Sequence, residues 1–185
     1  MAIDALSVWK SELANLPKVA DTSWALAFAS WYADRLTGIT TDPSGLTASS
    51  FTFTFPTSIF ATALVALAPT TSAAAGIAGF AGAWETALLA STALVAPGSY
   101  IGSPSPSTTF SVVATTVIDP ASIAAGKAKL LELASAAPVA DPNDSEFPVK
   151  FREATLLLTI TVSGLDASPT PSGPLPLVAA NVPLI

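Results

Sequence analysis

The chain has 185 residues, a net charge of −6 and only 11% charged side chains, whereas a typical soluble domain carries roughly 25%. It contains no His and no Cys, which removes the commonest general base and metal ligand and excludes disulfides and thiolate sites. Its seven basic residues form no cluster, which argues against nucleic-acid binding. Other polypeptides or a bilayer must cover much of such a surface, so the composition favours an assembly component over an enzyme.

The N-terminal part of the sequence predicts two amphipathic helices. Apolar residues recur at helical spacing over 2–15 and again over 21–37. Trp9, Trp24 and Trp31 lie on the apolar faces of these helices. We expect them to pack in the core or between subunits, because aromatic residues at helical spacing usually do so. A cradle for an aromatic ligand is the alternative.

Residues 51–55 predict a strand, because FTFTF alternates strictly between apolar and polar side chains. Phe51, Phe53 and Phe55 share one face of this strand and need a large apolar partner. Pro56 ends the run and favours an edge position, where a strand of another subunit could pair.

The middle of the chain is the most apolar part and predicts helices over 57–68 and 72–94. Between 72 and 96 the only charged residue is Glu85, and the length would suit one membrane span. The abundance of Ala and Gly and the central carboxylate favour instead a buried helix of a soluble protein. A small membrane-associated protein with one span near 72–96 is the alternative.

The second half of the chain predicts a strand over 109–118, a helix over 120–136 and a strand over 153–163. After Gly164 the sequence is rich in Pro and apolar residues, which is typical of an extended arm that docks on another subunit. We therefore predict one α+β domain over 1–164 and an extended, Pro-rich C-terminal arm over 165–185. In the domain, several helices pack on a small antiparallel sheet.

Three features could carry chemistry. Glu85 lies on an apolar helix, where desolvation would raise its pKa; we expect a backbone group, Arg35 or Arg152 to satisfy it. The segment around Lys127 and Lys129 lacks the spacing of a phosphate-binding loop, so both are predicted to be solvated helix residues.

An acidic loop with Asp141, Asn143, Asp144 and Glu146 offers oxygen ligands but does not have the spacing of an EF-hand. We interpret it as a surface loop. Because the chain has no His, the usual catalytic triad cannot form. We predict no catalytic residue, no metal site, no cofactor and no small-molecule substrate.

The segments FAGAWETALLASTALVAPGSY and FREATLLLTITVSGLD, together with the Ala-, Thr-, Ser- and Pro-rich composition, resemble minor virion proteins of tailed bacteriophages. The resemblance implies a non-enzymatic structural subunit in the virion, assembled in the host cytoplasm. A connector or tail-terminator ring in the neck or tail is the first expectation, and a capsid cement, minor capsid or baseplate protein is the alternative.

The partners implied are copies of the chain in a ring or lattice and neighbouring virion proteins, with neither nucleic acid nor a membrane. The residues predicted to lie at these interfaces are Trp9, Trp24, Trp31, Phe51, Phe53, Phe55, Leu175, Leu177 and Val182.

Overall fold

The computed structural model describes residues 4–16, 22–36, 46–47, 51–67, 72–95, 99–102, 105–109, 114–135, 146–165 and 176–183. For most residues in strands it describes the backbone alone; these are 46–47, 51–53, 93–95, 99–102, 105–109, 114–117, 161–165 and 176–183.

Six α-helices form within these described ranges. They are α1 (Leu6–Asn15), α2 (Thr22–Leu36), α3 (Thr57–Val65), α4 (Ala73–Leu89), α5 (Pro120–Leu131), which continues into a 3-10 turn (Glu132–Ser135), and α6 (Phe147–Leu156). The first five lie within the helices predicted from the sequence, while α6 was not predicted.

The described ranges also contain short strands that pair antiparallel. They are β1 (Leu46–Thr47), β2 (Phe51–Thr54), β3 (Thr92–Val95), β4 (Ser99–Gly102), β5 (Ser105–Thr109), β6 (Ala114–Ile118), β7 (Thr159–Leu165) and β8 (Pro176–Pro183). The strand orders are β1-β4-β5 and β2-β3-β6-β7-β8. The register sets Ile160 of β7 opposite Ile118 of β6 and Val182 of β8.

The predicted α+β class, with helices packed on a small sheet, is wrong. In the part of the chain described with its side chains, 80% of the residues are helical and no sheet is present. The helices pack against one another: α2 against α3, α3 against α4, α4 against α5, α5 against α6, and α1 against α6. The reason is that aromatic side chains of several helices fill the interior themselves, in the place where a sheet face was expected.

Phe151 of α6 lies at the centre of this aromatic core and is fully buried. Its ring centroid lies 4.7 Å from that of Tyr32, 5.5 Å from that of Trp9 and 5.7 Å from that of Phe28. Aromatic pairs at 4.5–7 Å contribute about 0.5–1.5 kcal/mol each beyond the area that they bury. Rings from α1, α2 and α6 therefore hold these three helices together.

The predicted strand over 153–163 is wrong in its first part, because α6 continues to Leu156 and β7 begins only at Thr159. Phe147, Phe151 and Ala154 recur at helical spacing, and the last two are fully buried. Burial of Phe151 among the other rings favours the helix over the overlapping strand pattern.

Two further predicted boundaries differ from the structure. The helix predicted over 72–94 is too long at its C-terminal end. In the structure α4 ends at Leu89, and residues 92–94 belong to β3. Thr109, at the start of the strand predicted over 109–118, is the last residue of β5, and β6 (Ala114–Ile118) covers the end of the predicted strand; residues 110–113 lie outside the described residues.

Part of the predicted C-terminal arm is β8, which pairs with β7 of the same chain. The backbone positions of Leu177 and Val182 lie in β8, while Leu175 lies outside the described residues. The division into a domain over 1–164 and an arm over 165–185 stays a prediction.

Candidate functional site

An exposed apolar surface lies where α2 packs against α3. Leu26 on α2 is 47% exposed, and Ile59 and Val65 on α3 are 44% and 37% exposed. A shallow groove of about 230 Å³ runs between the two helices. Its described lining residues are Thr22, Leu26, Ser58, Ala61, Thr62 and Val65.

A second shallow depression, of about 440 Å³, lies along α3. Ser58 and Thr62 line both depressions and therefore separate them, and Ile59 borders the second one. None of the described residues that line either depression is charged. We call the surface formed by Thr22, Leu26, Ser58, Ile59, Thr62 and Val65 the α2–α3 face.

The absence of charge on this face follows from the sequence. Between Asp42 and Glu85 the chain contains no Asp, Glu, Lys or Arg, and α3 lies wholly within this run. Because α3 is apolar on several sides, burial of Phe60, Ala61 and Leu64 leaves Ile59 and Val65 facing solvent. A helix that is apolar all round normally needs more than one covering partner.

The described ion pairs lie outside the lining of the α2–α3 face and join parts of the same chain. Arg35, near the end of α2, forms ion pairs with Asp4 at 2.9 Å and with Glu12 of α1. Glu12 also accepts a hydrogen bond of 2.9 Å from Nε1 of Trp31, and the Arg35 guanidinium lies 5.9 Å from the centroid of the Trp31 ring. These contacts join the start of the chain to α2.

A second group of ion pairs joins the end of α5 to α6. Lys129 and Lys150 donate to the two carboxylate oxygens of Glu132 at 2.8 and 2.7 Å, and both lie within 3.8 Å of Glu153. The hydrogen bond from Lys129, followed by that from Lys150, lowers the pKa of Glu132. The hydrogen bond to Glu132 raises the pKa of Lys150. Lys129 was predicted to be a solvated helix residue, and it lies on α5 with a partly exposed side chain that forms these ion pairs.

Glu85 does not have the partner that the sequence predicted. Its carboxylate accepts a hydrogen bond of 2.6 Å from Lys127 of α5, and both side chains are partly exposed. Arg35 binds Asp4 and Glu12, and Nε of Arg152 donates to the backbone oxygen of Asp4 at 2.8 Å. Glu85 and Lys127 therefore form a surface ion pair between α4 and α5.

Among the described residues, Trp84, Tyr32 and Thr155 form a buried chain of hydrogen-bonded polar side chains. Trp84 Nε1 donates to the Tyr32 hydroxyl at 2.9 Å, and that hydroxyl lies 3.1 Å from Oγ1 of Thr155. Because Thr155 donates its own proton to the Phe151 carbonyl at 2.9 Å, Tyr32 is the donor to Thr155. Burial raises the pKa of Tyr32, so its phenol stays protonated at neutral pH and acts as a structural hydrogen-bonding group.

The structure places the predicted interface residues in different surroundings. Trp9, Trp31 and Phe55 are buried within the core of the same chain, and Trp24 is half-buried with its ring stacked on Phe28 at 5.4 Å. The backbone positions of Phe51 and Phe53 lie in β2. A role for these residues between subunits stays a prediction.

The sequence prediction did not select Leu26, Ile59 or Val65. For Ile59 and Val65, the signal that could have identified them is the absence of any charged residue in the helix predicted over 57–68. One apolar side of such a helix faces the core, and another is left to face solvent or a partner.

The described residues contain no group of three or more His, Cys, Asp or Glu that could bind a metal. Of the acidic loop, Glu146 is exposed just before α6, while Asp141, Asn143 and Asp144 lie outside the described residues. In the described ranges, no helix combines the length and the apolar character needed to cross a bilayer; α4 has 17 residues.

Comparison with models of protein families, with curated proteins and with solved structures gives no match. What the chain does therefore has to follow from its own surface and contacts.

Proposed function

We propose that this chain is a non-enzymatic structural subunit of a tailed-bacteriophage virion, placed in the neck or tail in a ring of the connector or tail-terminator type. A capsid cement, minor capsid or baseplate position belongs to the same class and is the alternative. The resemblance of its sequence to minor virion proteins supports the class, and the α2–α3 face supports a role in assembly.

The observation that carries the proposal is the clustering of large apolar side chains on the α2–α3 face. Single exposed apolar residues are common on monomeric proteins, whereas large contiguous apolar patches are typical of interaction surfaces. Leu26 and Val65 border the same groove, and Ile59 borders the adjoining depression. Covering them gains roughly 25 cal/mol for each Å² of apolar surface removed from water.

The distribution of charge also supports assembly. The described ion pairs lie on α1, α4, α5, α6 and the end of α2, where they connect parts of the same chain. None of the described residues that line the α2–α3 face carries a charged group that would have to lose its water when a partner covers it. Repetition of one modest interface by symmetry can then build a stable ring or lattice.

The proposal is tested by the composition of virus particles. We expect mass spectrometry of purified particles, from the phage or prophage whose genome encodes this chain, to detect it at a fixed copy number. Immunogold labelling should place it at the neck or tail. Absence of the chain from complete particles, with the chain recovered only from the host lysate, would refute the virion role.

A further inference from the structure

We infer that two copies of this chain exchange their N-terminal helices, so that α1 of each copy docks on the other copy. The surface on which α1 docks lies between α2 and α6, and we call it the α1 cleft. It is formed by Trp31, Tyr32, Arg35, Phe151 and Arg152. This inference goes beyond the proposed function, because it concerns a different surface from the α2–α3 face and does not depend on a place in a virion.

The structure shows which element fits the α1 cleft. Trp9 of α1 is fully buried there, with its ring centroid 5.1 Å from that of Trp31 and 5.5 Å from that of Phe151. Both contacts are edge-to-face, an arrangement that aromatic rings prefer. Every copy carries the same helix and the same cleft, so α1 of a second copy fits with the same contacts.

The charges of α1 and its cleft are complementary. The chain has only two arginines, and both bind the segment that carries α1. Arg35 forms ion pairs with Asp4 at 2.9 Å and with Glu12, while Nε of Arg152 donates to the backbone oxygen of Asp4 at 2.8 Å. Guanidinium groups are well suited to ion pairs at interfaces. The α1 cleft thus selects a helix that brings carboxylates and one aromatic anchor.

The contacts of α1 are of a kind that allows it to leave the cleft while the other helices stay packed. Trp9 is the one buried residue of α1, and Nε1 of Trp9 and Nε of Arg35 are buried without a hydrogen-bond partner, which weakens the docking. The side chains of Asp4, Glu12 and Arg35 are 22–35% exposed, so water competes with their ion pairs. No side chain caps α1 at Ala5, and the helix therefore depends on docking.

The connection between α1 and α2 favours exchange over closure within one chain. Residues 16–21 form this connection, and a segment of that length reaches at most about 22 Å. Glu12 binds Arg35, which lies about 20 Å along α2 from Thr22 at a rise of about 1.5 Å per residue. Within one chain the connection has to return from the far end of α2 to its start. Exchange removes this restriction, and short hinges under such a restriction favour it.

The first test detects α1 of one chain in the cleft of another. Because the chain has no Cys, a single thiol is introduced into each of two separately prepared variants. Glu12→Cys carries it on α1 and Arg35→Cys carries it in the α1 cleft, while Trp9 still anchors the helix in both. After the two proteins are mixed at high concentration, we expect a short bismaleimide cross-linker to give covalent dimers that contain one copy of each, identified by mass spectrometry.

Two controls accompany this test. A mixture of Glu85→Cys and Lys127→Cys probes the ion pair between α4 and α5, whose charged atoms lie 2.6 Å apart. Neither helix is at the end of the chain, so this mixture should give no covalent dimers. The double variant Glu12→Cys/Arg35→Cys, cross-linked at high dilution, shows that the two sites are within reach of the reagent.

The second test keeps every contact of α1 and changes only the connection. With a flexible Gly-Ser insertion after Lys18, α1 reaches its own cleft without restriction. We expect the dissociation constant of the dimer to rise roughly tenfold or more in sedimentation equilibrium. The same insertion after Pro69, between α3 and α4, is the control and should leave the dimer unchanged. Circular dichroism should show that both variants keep the native helix content.

Three results would overturn the exchange. They are the absence of mixed dimers from Glu12→Cys and Arg35→Cys while the double variant is linked within one chain, equal yields from Glu85→Cys and Lys127→Cys, and a dimer that the insertion after Lys18 leaves unchanged. A closed monomer found in virus particles refutes only the exchange, and exchanged dimers that are absent from particles refute only the virion role.

Discussion

Replacement of Gly126 by Ala probes the closest approach between the helices of the core. Gly126 is buried in the middle of α5, between α4 and α6. A methyl group at this position would lie 2.5 Å from Cη2 of Trp84 and 2.8 Å from the backbone oxygen of Ala154. Relaxed contacts between non-bonded carbon atoms lie at about 3.5–4.0 Å, so α5 would have to move away by roughly 1 Å.

The expected cost follows from how little these neighbours can move. Trp84 is fully buried and donates to Tyr32, and the oxygen of Ala154 belongs to the backbone of α6. Overpacking of a core costs about 1–3 kcal/mol, while replacing Gly by Ala in a helix returns about 0.5–1 kcal/mol. We expect Gly126→Ala to lower the free energy of unfolding by up to about 2.5 kcal/mol, which corresponds to a fall in Tm of up to about 10 °C.

Gly82→Ala provides the matched control. Gly82 lies inside α4, and a methyl group there would meet no atom within 4 Å. The gain in helix propensity is then unopposed, so this variant should be more stable than the parent by about 0.5–1 kcal/mol. Urea unfolding followed by circular dichroism measures both variants. Equal stabilisation by the two substitutions would refute the close contact of α5 with α4 and α6.

Three further predictions concern hydrogen bonds and ionised groups. Tyr32→Phe leaves the buried Nε1–H of Trp84 without its acceptor, so urea unfolding at neutral pH should show a loss of about 1–3 kcal/mol; no loss would contradict the buried hydrogen-bond chain. Because the folded pKa of Tyr32 lies above its ordinary value of 10.0, the unfolded chain releases this proton first, and the stability that Tyr32 contributes is lost above pH 10. The stability difference between the parent and Tyr32→Phe should therefore shrink by up to about 1.4 kcal/mol per pH unit above pH 10, and a constant difference would contradict this. The lowered pKa of Glu132 means that its contribution is present above its ordinary value of 4.5 and is lost as the pH falls through the folded value. The stability difference between the parent and Glu132→Gln should thus decrease in acid and in high salt, and a difference independent of both would exclude an ionic origin.

The positions of five helices could be predicted from the sequence because their signals are local. Pro69 separates α3 from α4, and Pro120 begins α5, since proline fits the first turn of a helix but not its interior. The shortage of charge is likewise a property of the sequence alone. It identified an unusual surface, although it did not show where that surface lies.

The tertiary structure decided the choices that depend on distant residues. The segment from Phe147 to Ile160 contains both a helical and an alternating pattern, and the burial of Phe151 among rings of α1 and α2 favours the helix up to Leu156. Glu85 pairs with Lys127, which is 42 residues away in the sequence, and local spacing cannot predict such a partner.

The same limit applies to the candidate site. The sequence determined that Trp9 is apolar and that α3 is apolar on several sides, because composition and helical spacing are local properties. Only the packing of the helices decided that Trp9 is enclosed while Leu26 and Ile59 face outward. The physical reason is that a helix with more apolar surface than one neighbour can cover has to leave some of it exposed, and the positions of the neighbouring helices determine which part that is.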